Sequence, residues 1–227
     1  MKKHINIPIF IPHLGCPNNC VFCNQRFISG HTDFDISTVK EEIETALSTK
    51  KDDQTAQIAF FGGSFTGIER SLMTKLLGIA KNYIDNGSVD GIRLSTRPDY
   101  IDREVLDILS EYGVTSVELG IQSMSQTVLD ASKRGHTVDD ARRAAYLIKE
   151  YGFEFVSQMM IGLPSSTPED EIMTAEECIR MGADATRIYP TVVFKDSELC
   201  KMAEDRIYTP LGVAEAVART KGALFVF

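Results

Sequence analysis

Three closely spaced cysteines carry the clearest chemical signal in the sequence. Cys16, Cys20 and Cys23 form a Cys-x-x-x-Cys-x-x-Cys motif directly after a strand-like segment. Three thiolates at this spacing can bind one 4Fe-4S cubane, which normally takes four ligands, so one iron stays open. An open iron can chelate a small ligand through its amine and carboxylate. This is the arrangement needed to cleave S-adenosylmethionine reductively into methionine and a 5′-deoxyadenosyl radical.

The same cysteines also allow a second interpretation, a structural zinc site in a non-enzymatic protein. His13 is close in sequence, and together with the three cysteines it would complete a tetrahedral ligand set for zinc. The chain has 5 cysteines, and the tight spacing of three of them is unlike a secreted disulfide framework. The cysteines alone leave both interpretations open, and the downstream residues decide between them.

Polar residues and glycines recur where the later strand-like segments end. Gly62 and Gly63 follow the second strand, where glycines let the backbone approach a ligand and their carbonyls can accept hydrogen bonds from an ammonium group. Ser95, Gln122 and Gln158 lie near the ends of the third, fourth and fifth strands. In parallel α/β folds, ligands bind at the carboxyl ends of the strands, so these positions are candidate binding residues.

Strand-like and helix-like segments alternate along the chain, which predicts a parallel sheet built from right-handed βαβ units. The strands are predicted at Ile5–Pro12, Gln57–Phe61, Gly91–Ser95, Val117–Ile121, Glu154–Ile161 and Ala185–Tyr189. The helices are predicted at Ser37–Thr49, with Ser37 as the cap, and at Glu69–Asp85, Asp102–Tyr112, Val138–Tyr151 and Thr167–Met181. A further helix is expected after Pro210. We therefore expect an α/β fold, a partial (βα)6 TIM-like barrel with parallel strands, and the doubly wound sheet is the alternative.

Composition describes an ordinary globular protein and limits its partners. The chain has 227 residues, with 24 Lys and Arg against 32 Asp and Glu, a net charge of −8. This charge opposes non-specific attraction to nucleic acid or to an anionic membrane. No apolar stretch approaches the roughly 20 residues that span a bilayer, so we expect a cytoplasmic protein without a membrane partner. We expect one domain over residues 1–227 that lacks a C-terminal segment, because the chain stops at an apolar end, Leu224 to Phe227.

The ordered set of motifs resembles the radical S-adenosylmethionine (radical SAM) superfamily. An aromatic residue precedes the last cysteine of the triad, and the sequences FGGSF, STRPD, ELGIQS, KRGHT and MMIGLP follow in order. The resemblance is greatest to the radical domain of the Elongator catalytic subunit, and the oxygen-independent coproporphyrinogen oxidases are more distant. It covers the chain from about Ile7 to Tyr189.

The resemblance implies roles for particular residues. Cys16, Cys20 and Cys23 would hold the cluster. Phe22 would lie along the adenine, Gly62 and Gly63, followed by Ser64, would meet the methionine amino group, and Gly162 and Leu163 would line the adenine pocket. Gln122 would face the ribose or sulfonium, and Arg134 would pair with the methionine carboxylate.

Two positions depart from the family pattern. Ser95 stands where relatives often carry Glu, and Gln158 stands where the coproporphyrinogen oxidases carry Asp. Both can still form neutral hydrogen bonds to the cofactor. Two other residues have structural interpretations. We expect His136 to be a hydrogen-bonded structural histidine or a helix-start polar group, and not a catalytic acid. We expect Tyr189 to be a packed aromatic residue, although it could instead reach into the cavity.

The expected function is that of a radical enzyme with two cofactors, a 4Fe-4S cluster and S-adenosylmethionine. The expected partners are a one-electron reductant, such as flavodoxin or ferredoxin, and an unidentified substrate. The Elongator resemblance implies modification of tRNA wobble uridine, although the net charge does not favour tRNA. The alternative is an enzyme that acts on a porphyrinogen or another small molecule.

Overall fold

The computed structural model describes residues 3–11, 14–16, 20–24 and 34–227, and within them six parallel strands form one sheet in the order β1-β2-β3-β4-β5-β6. The strands are β1 (Lys3–Ile11), β2 (Gln54–Gly62), β3 (Gly91–Thr96), β4 (Val114–Gln122), β5 (Glu154–Ile161) and β6 (Ala185–Pro190). Each strand pairs with the next one in sequence, and the sheet curls into a half-barrel. The predicted partial TIM-like barrel is therefore confirmed.

Helices connect the strands, as parallel pairing requires. They are α1 (Val39–Ser48), α2 (Arg70–Asp85), α3 (Arg103–Glu111), α4 (Gln126–Ala131), α5 (Val138–Glu150), α6 (Pro168–Arg180), α7 (Glu198–Glu204) and α8 (Val213–Leu224). The five predicted crossover helices correspond to α1, α2, α3, α5 and α6, and the helix expected after Pro210 is α8. The sequence patterns did not reveal α4 and α7, which have 6 and 7 residues.

The start of the first helix differs from the prediction. Ser37 does not cap an α-helix, because it lies inside a short 3-10 turn, Ile36–Thr38, and its backbone N–H donates to the Asp35 carboxylate at 2.9 Å. The regular α1 begins at Val39. Asp35 thus takes the capping role, because a carboxylate satisfies a free N–H at a helix start as well as a hydroxyl does.

The two faces of the sheet have different neighbours because side chains alternate along a strand. Ile58, Leu94 and Phe155 lie fully buried in the main core, together with residues of α1, α2, α3 and α5 such as Ile43 and Leu76. Residues an odd number of positions away in the same strands, such as Phe61, Ser95 and Gln158, line a cavity on the opposite face. The apolar face thus anchors the helices, and the other face is free for a ligand.

The helices that follow β4 and β5 begin with matching capping boxes. The Thr137 hydroxyl accepts the N–H of Asp140, whose carboxylate accepts the N–H of Thr137, and Thr167 and Asp170 repeat this pattern at α6. These contacts fix the points at which the two loops enter their helices.

In the described part of the chain, no helix is long and apolar enough to cross a membrane.

Candidate active site

A cavity of about 570 Å³ lies at the carboxyl ends of the strands. All three cysteines of the motif line it, together with residues from all six strands. Its size lies within the ordinary range of small-molecule sites. Its position agrees with the rule that parallel barrels bind ligands at this end.

The cysteine loop packs directly on the glycine loop that follows β2. The N–H of Gly63 donates to the Ile11 carbonyl at 2.9 Å, and the N–H of Ser64 donates to the Leu14 carbonyl at 3.2 Å. A Cβ at Gly63 would collide with the Leu14 carbonyl oxygen. Glycine is therefore required at Gly63 by close packing of the two loops, a structural reason in addition to the predicted contact with the cofactor.

Arg134 connects the cysteine loop to the end of β4. Its side chain is buried, with Nη1 donating to the Cys20 sulfur at 3.5 Å and Nη2 donating to the Gly120 carbonyl at 2.8 Å. Gly120 has no side chain, and a Cβ there would lie 2.7 Å from the Arg134 guanidinium. A positive charge is thus fixed beside one thiol of the triad.

The loop after β3 is held by a buried chain of hydroxyl groups. The Thr96 hydroxyl contacts the hydroxyls of Ser64 at 2.9 Å and of Thr66 at 2.5 Å. Ser64 also accepts the backbone N–H of Arg97 at 3.2 Å. The Arg97 guanidinium is buried and forms a two-pronged pair with the Asp99 carboxylate at 2.9 and 2.8 Å.

His136 lies beside these two arginines in a buried position. It is 2% exposed, and a hydrogen bond with the Ile121 backbone, the smallest of the influences on its pKa, does not offset burial. Burial lowers the pKa of His136 to about 3, and the charges of Arg134 and Arg97 act in the same direction. The ring is therefore neutral at physiological pH.

An ion pair lies in the part of the cavity formed by β4 and β6. The Arg187 Nε lies 3.1 Å from the buried Glu118 carboxylate, and the guanidinium stacks over the Phe61 ring at 5.3 Å. Arg187 also donates to the Tyr189 hydroxyl at 3.3 Å. Burial raises the pKa of Glu118, although Arg187 and Arg93 oppose this. Tyr189 is 39% exposed and lines the cavity, so the expectation that it is a packed aromatic residue was wrong.

Gln122 has an uncommon backbone conformation at the end of β4. Its φ is +68°, and the register between β4 and β5 shifts next to it. Such conformations cost energy for a residue with a side chain and are concentrated at functional sites. The Gln122 side chain lines the cavity and accepts a hydrogen bond from Gln158 at 3.4 Å.

The structure brings most of the predicted site residues together. The ones that line the cavity are Cys16, Cys20, Phe22, Cys23, Gly62, Gly63, Ser95, Gln122, Arg134 and Gln158. Ser64, Gly162 and Leu163 are not among its lining residues. Ser64 is buried in the hydroxyl chain, and the N–H of Gly162 donates to the Glu171 carboxylate at 2.7 Å. His13, on which the zinc interpretation depends, lies outside the described residues.

Three charged residues of the cavity were not assigned a role from the sequence: Arg97, Glu118 and Arg187. Arg97 and Glu118 occur within motifs that were recognised, but neither motif indicates which side chains face inward. The available signal was a charged residue an even number of positions from another polar residue in the same strand. Glu118 is four positions from Gln122, and Arg187 is two positions from Tyr189.

The fold and the site together define a partial α/β barrel with a cysteine-lined cavity at the carboxyl ends of its strands. The model of the Radical SAM superfamily matches residues 10–178 of the sequence. The chain therefore belongs to the radical SAM superfamily, and the predicted enzyme class is confirmed at the level of the family.

Curated relatives share part of their length with this chain. An uncharacterized protein of Methanocaldococcus jannaschii is 30% identical over 213 residues, which cover 88% of this chain and 65% of that protein. Elongator complex protein 3 of Mus musculus is 28% identical, covering 92% of this chain and 46% of the mouse protein. A tRNA uridine(34) acetyltransferase of Methanocaldococcus jannaschii is 33% identical, covering 55% of this chain and 24% of that protein. The chain thus spans less than two thirds of each of these relatives.

Solved structures share the fold. The archaeal Elp3 of Methanocaldococcus infernus superimposes with a TM-score of 0.77 at 22% identity, covering 98% of this chain and 54% of that chain. Coproporphyrinogen III oxidase of Escherichia coli superimposes with a TM-score of 0.69 at 17% identity, covering 99% of this chain and 52% of that chain. At sequence identities of 22% and 17%, these superpositions show that the architecture is shared.

The residues present fit the iron-sulfur cluster and S-adenosylmethionine that the family implies. Thiols are the ligands that iron-sulfur clusters use, and all three thiols of the motif line the cavity. Arg97 carries a buried Nη1 with no hydrogen-bond partner in the described segments, and a buried donor of this kind is suited to an anionic ligand. Within those segments, no three His, Cys, Asp or Glu side chains are grouped closely enough to hold a single metal ion.

Proposed function

We propose that this chain binds a 4Fe-4S cluster through Cys16, Cys20 and Cys23 and uses it to cleave S-adenosylmethionine. The observation that carries the proposal is that the cysteine triad shares one cavity with the glycines and polar residues that end β2 to β5. Membership in the superfamily over residues 10–178 supports it.

When bound, the cluster and S-adenosylmethionine supply one-electron cleavage of a sulfonium C–S bond, which yields methionine and a 5′-deoxyadenosyl radical. The residues of this chain bind and orient. Arg134 offers a fixed guanidinium for a carboxylate, and the carbonyls of Gly62 and Gly63 are candidate acceptors for an ammonium group. Gln122 and Gln158 supply neutral donors and acceptors for hydroxyl groups.

Apolar side chains form the wall around this polar floor. Phe10, Phe22, Phe61, Met160 and Phe194 line the cavity. Such a wall excludes water from a reactive intermediate, which prevents side reactions. The substrate would enter beside the Glu118–Arg187 pair, because this part of the cavity is lined by residues of β4 and β6 that the cofactor assignments do not use.

For the substrate we propose a uridine in tRNA, on the basis of the relatives named for Elongator and for tRNA uridine acetylation. A small molecule is the second candidate, because the net charge of −8 opposes binding to a polyphosphate. We further propose one domain over residues 1–227, a cytoplasmic location and a flavodoxin or ferredoxin as electron donor.

The test is anaerobic reconstitution of the full chain with iron and sulfide, followed by electron paramagnetic resonance of the reduced protein. We expect a 4Fe-4S signal whose shape changes when S-adenosylmethionine is added, because the ligand takes the open iron. The Cys20→Ala variant should lose the signal and bound iron.

The matched control is Cys200→Ala, because Cys200 lies on α7 and is not one of the residues that line the cavity. It should retain the full signal. Stoichiometric zinc without a cluster would contradict the proposal and support the structural zinc interpretation. A cluster that does not respond to S-adenosylmethionine would also contradict it.

A further inference from the structure

Arg97 is a deeply buried cation that lines the cavity. Its side chain is 2% exposed, and it lies in the loop after β3 with its backbone N–H fixed by Ser64 at 3.2 Å. The Asp99 carboxylate accepts from its Nε and Nη2, which leaves Nη1 buried without a partner in the described part of the chain. Buried donors are nearly always paired in folded proteins, so an unpaired one at a cavity wall is adapted to a ligand.

The surroundings of Arg97 point to a ligand at the cysteine triad, because Arg97 lines the same cavity as Cys16, Cys20 and Cys23. Burial lowers the pKa of Arg97, but the hydrogen bond and charge of Asp99 raise it, and the Cys16 and Cys20 thiols raise it further. Arg97 therefore lies within electrostatic range of two of the three thiols. Arg134 supplies a second cation, in contact with the Cys20 sulfur at 3.5 Å.

These two cations differ in what holds them. Arg134 is tied to a neutral carbonyl at Gly120, whereas Arg97 is tied to the carboxylate of Asp99. The charge at Arg97 is therefore partly neutralised. Substitutions in the Arg97–Asp99 pair can make the local charge either more negative or more positive. Removing the arginine leaves a negative charge, and removing the carboxylate charge leaves a positive one.

We propose that the Arg97–Asp99 pair sets the reduction potential of the cluster held by Cys16, Cys20 and Cys23. The inference rests on the proposed function. A cluster bound by three thiolates is anionic and gains one more negative charge on reduction, so a buried cation nearby favours the reduced state. Arg97 supplies this cation, and Asp99 limits its effect.

The experiment is a redox titration of the reconstituted full chain, followed by electron paramagnetic resonance, without S-adenosylmethionine. At a fixed solution potential, Arg97→Met should lower the ratio of reduced to oxidised cluster by about tenfold. Arg97→Lys should give a ratio closer to that of the unmodified chain. Asp99→Asn should change the ratio in the opposite direction and raise it, which a merely structural role would not produce.

The matched control is Arg93→Met, because Arg93 is also partly buried on β3 and paired with a carboxylate, that of Glu154, but does not line the cavity. It should leave the ratio unchanged. If Arg97→Met fails to assemble a cluster, Arg97→Lys and Asp99→Asn still show whether the pair sets the reduction potential.

Two results would overturn the inference. Unchanged potentials in the Arg97 and Asp99 variants, together with weaker S-adenosylmethionine binding, would make Arg97 a ligand for a carboxylate instead. This result leaves the proposed function intact, because the cluster has formed. Absence of any cluster in the unmodified chain would remove the proposed function and the inference with it.

Discussion

At the scale of single residues, the site places two buried arginines, Arg97 and Arg134, beside a neutral histidine, His136. Arg97 and Arg134 are each bound to an oxygen acceptor, the Asp99 carboxylate or the Gly120 carbonyl. His136 lies among these charges, and it is neutral because protonation would place a third cation in a buried space. The histidine therefore makes the folded state sensitive to acid.

His136 should make the protein less stable as the pH falls below about 6.5. The pKa of His136 is about 3 in the folded chain, whereas an unfolded histidine titrates near 6.5, so the unfolded state binds more protons between these values. Stability contributed by the neutral ring is complete above about pH 6.5 and is lost progressively toward pH 3. Between pH 6.5 and 4.5 we expect a loss of about 2 kcal/mol that His136→Gln lacks.

Urea unfolding of the two proteins at several pH values measures this difference. The charged groups around His136 are Arg134, Arg97 and Asp99, and they are the same in both proteins. The raised pKa of Glu118 also contributes equally to both, so it cancels in the comparison. Parallel stability curves for the variant and the unmodified chain would show that His136 does not titrate as described.

Sequence reasoning found the residues that a motif or a strand end identifies, and missed those that depend on the curl of the sheet. The cysteines, Gly62, Gly63 and Arg134 are assigned by the motifs themselves, and all of them line the cavity. Glu118 and Arg187 come from strands that are not adjacent, and they meet because the sheet curves. The spacing of residues along the chain contains no information about that contact.

At the scale of elements, the loop after β5 is held by a helix from the end of the chain. Glu171 of α6 is buried, and it accepts hydrogen bonds from the Gly162 N–H at 2.7 Å and from Ser166 at 2.8 Å. Arg219 of α8 donates to the same carboxylate at 2.9 and 2.5 Å. The Tyr208 hydroxyl donates to the Gly162 carbonyl at 2.7 Å. The C-terminal elements therefore fix the backbone at Gly162.

Arg219→Met should destabilise the chain strongly, because it leaves the Glu171 carboxylate buried without its cation. Breaking a buried pair in this way typically costs about 3–5 kcal/mol. The measurement is the free energy of unfolding in urea. Arg142→Met is the matched control: its pair with Glu177 is exposed on the arginine side, and its loss should cost less than about 1 kcal/mol.

A double variant separates charge from packing at Arg219. Replacing Glu171 by Met together with Arg219 removes both charges, so part of the lost stability should return. Equal effects of Arg219→Met and Arg142→Met would show that the Glu171–Arg219 pair does not hold α8 in place.

Elements with a long periodic pattern were predictable, and short ones were not. The predicted strands and crossover helices correspond to the observed ones because each has several apolar residues on one face. The helices α4 and α7 span fewer than two full turns, so they show no period. These two helices nevertheless hold the cysteine loop at Val21. The Val21 N–H donates to the Ser132 carbonyl after α4, and the Leu199 N–H of α7 donates to the Val21 carbonyl.

At the scale of the whole molecule, the net charge and the cavity volume both favour a small substrate over a polyanion. The chain carries 24 basic and 32 acidic residues, so its net charge of −8 repels a polyanion at long range. The cavity, about 570 Å³ in volume, has the size of a small-molecule site. A tRNA substrate would therefore need a local basic surface or a basic partner to overcome the net repulsion.

This chain alone should bind tRNA more weakly than about 1 μM at physiological salt, because non-specific affinity depends on the number of phosphates that basic residues neutralise. Fluorescence anisotropy of labelled tRNA at about 50 and 200 mM salt measures both the affinity and its salt dependence. A weak interaction at both concentrations would agree with the net charge. Submicromolar binding with a steep salt dependence would show that the protein surface concentrates its basic residues against the overall charge, and would favour the tRNA uridine over the small molecule.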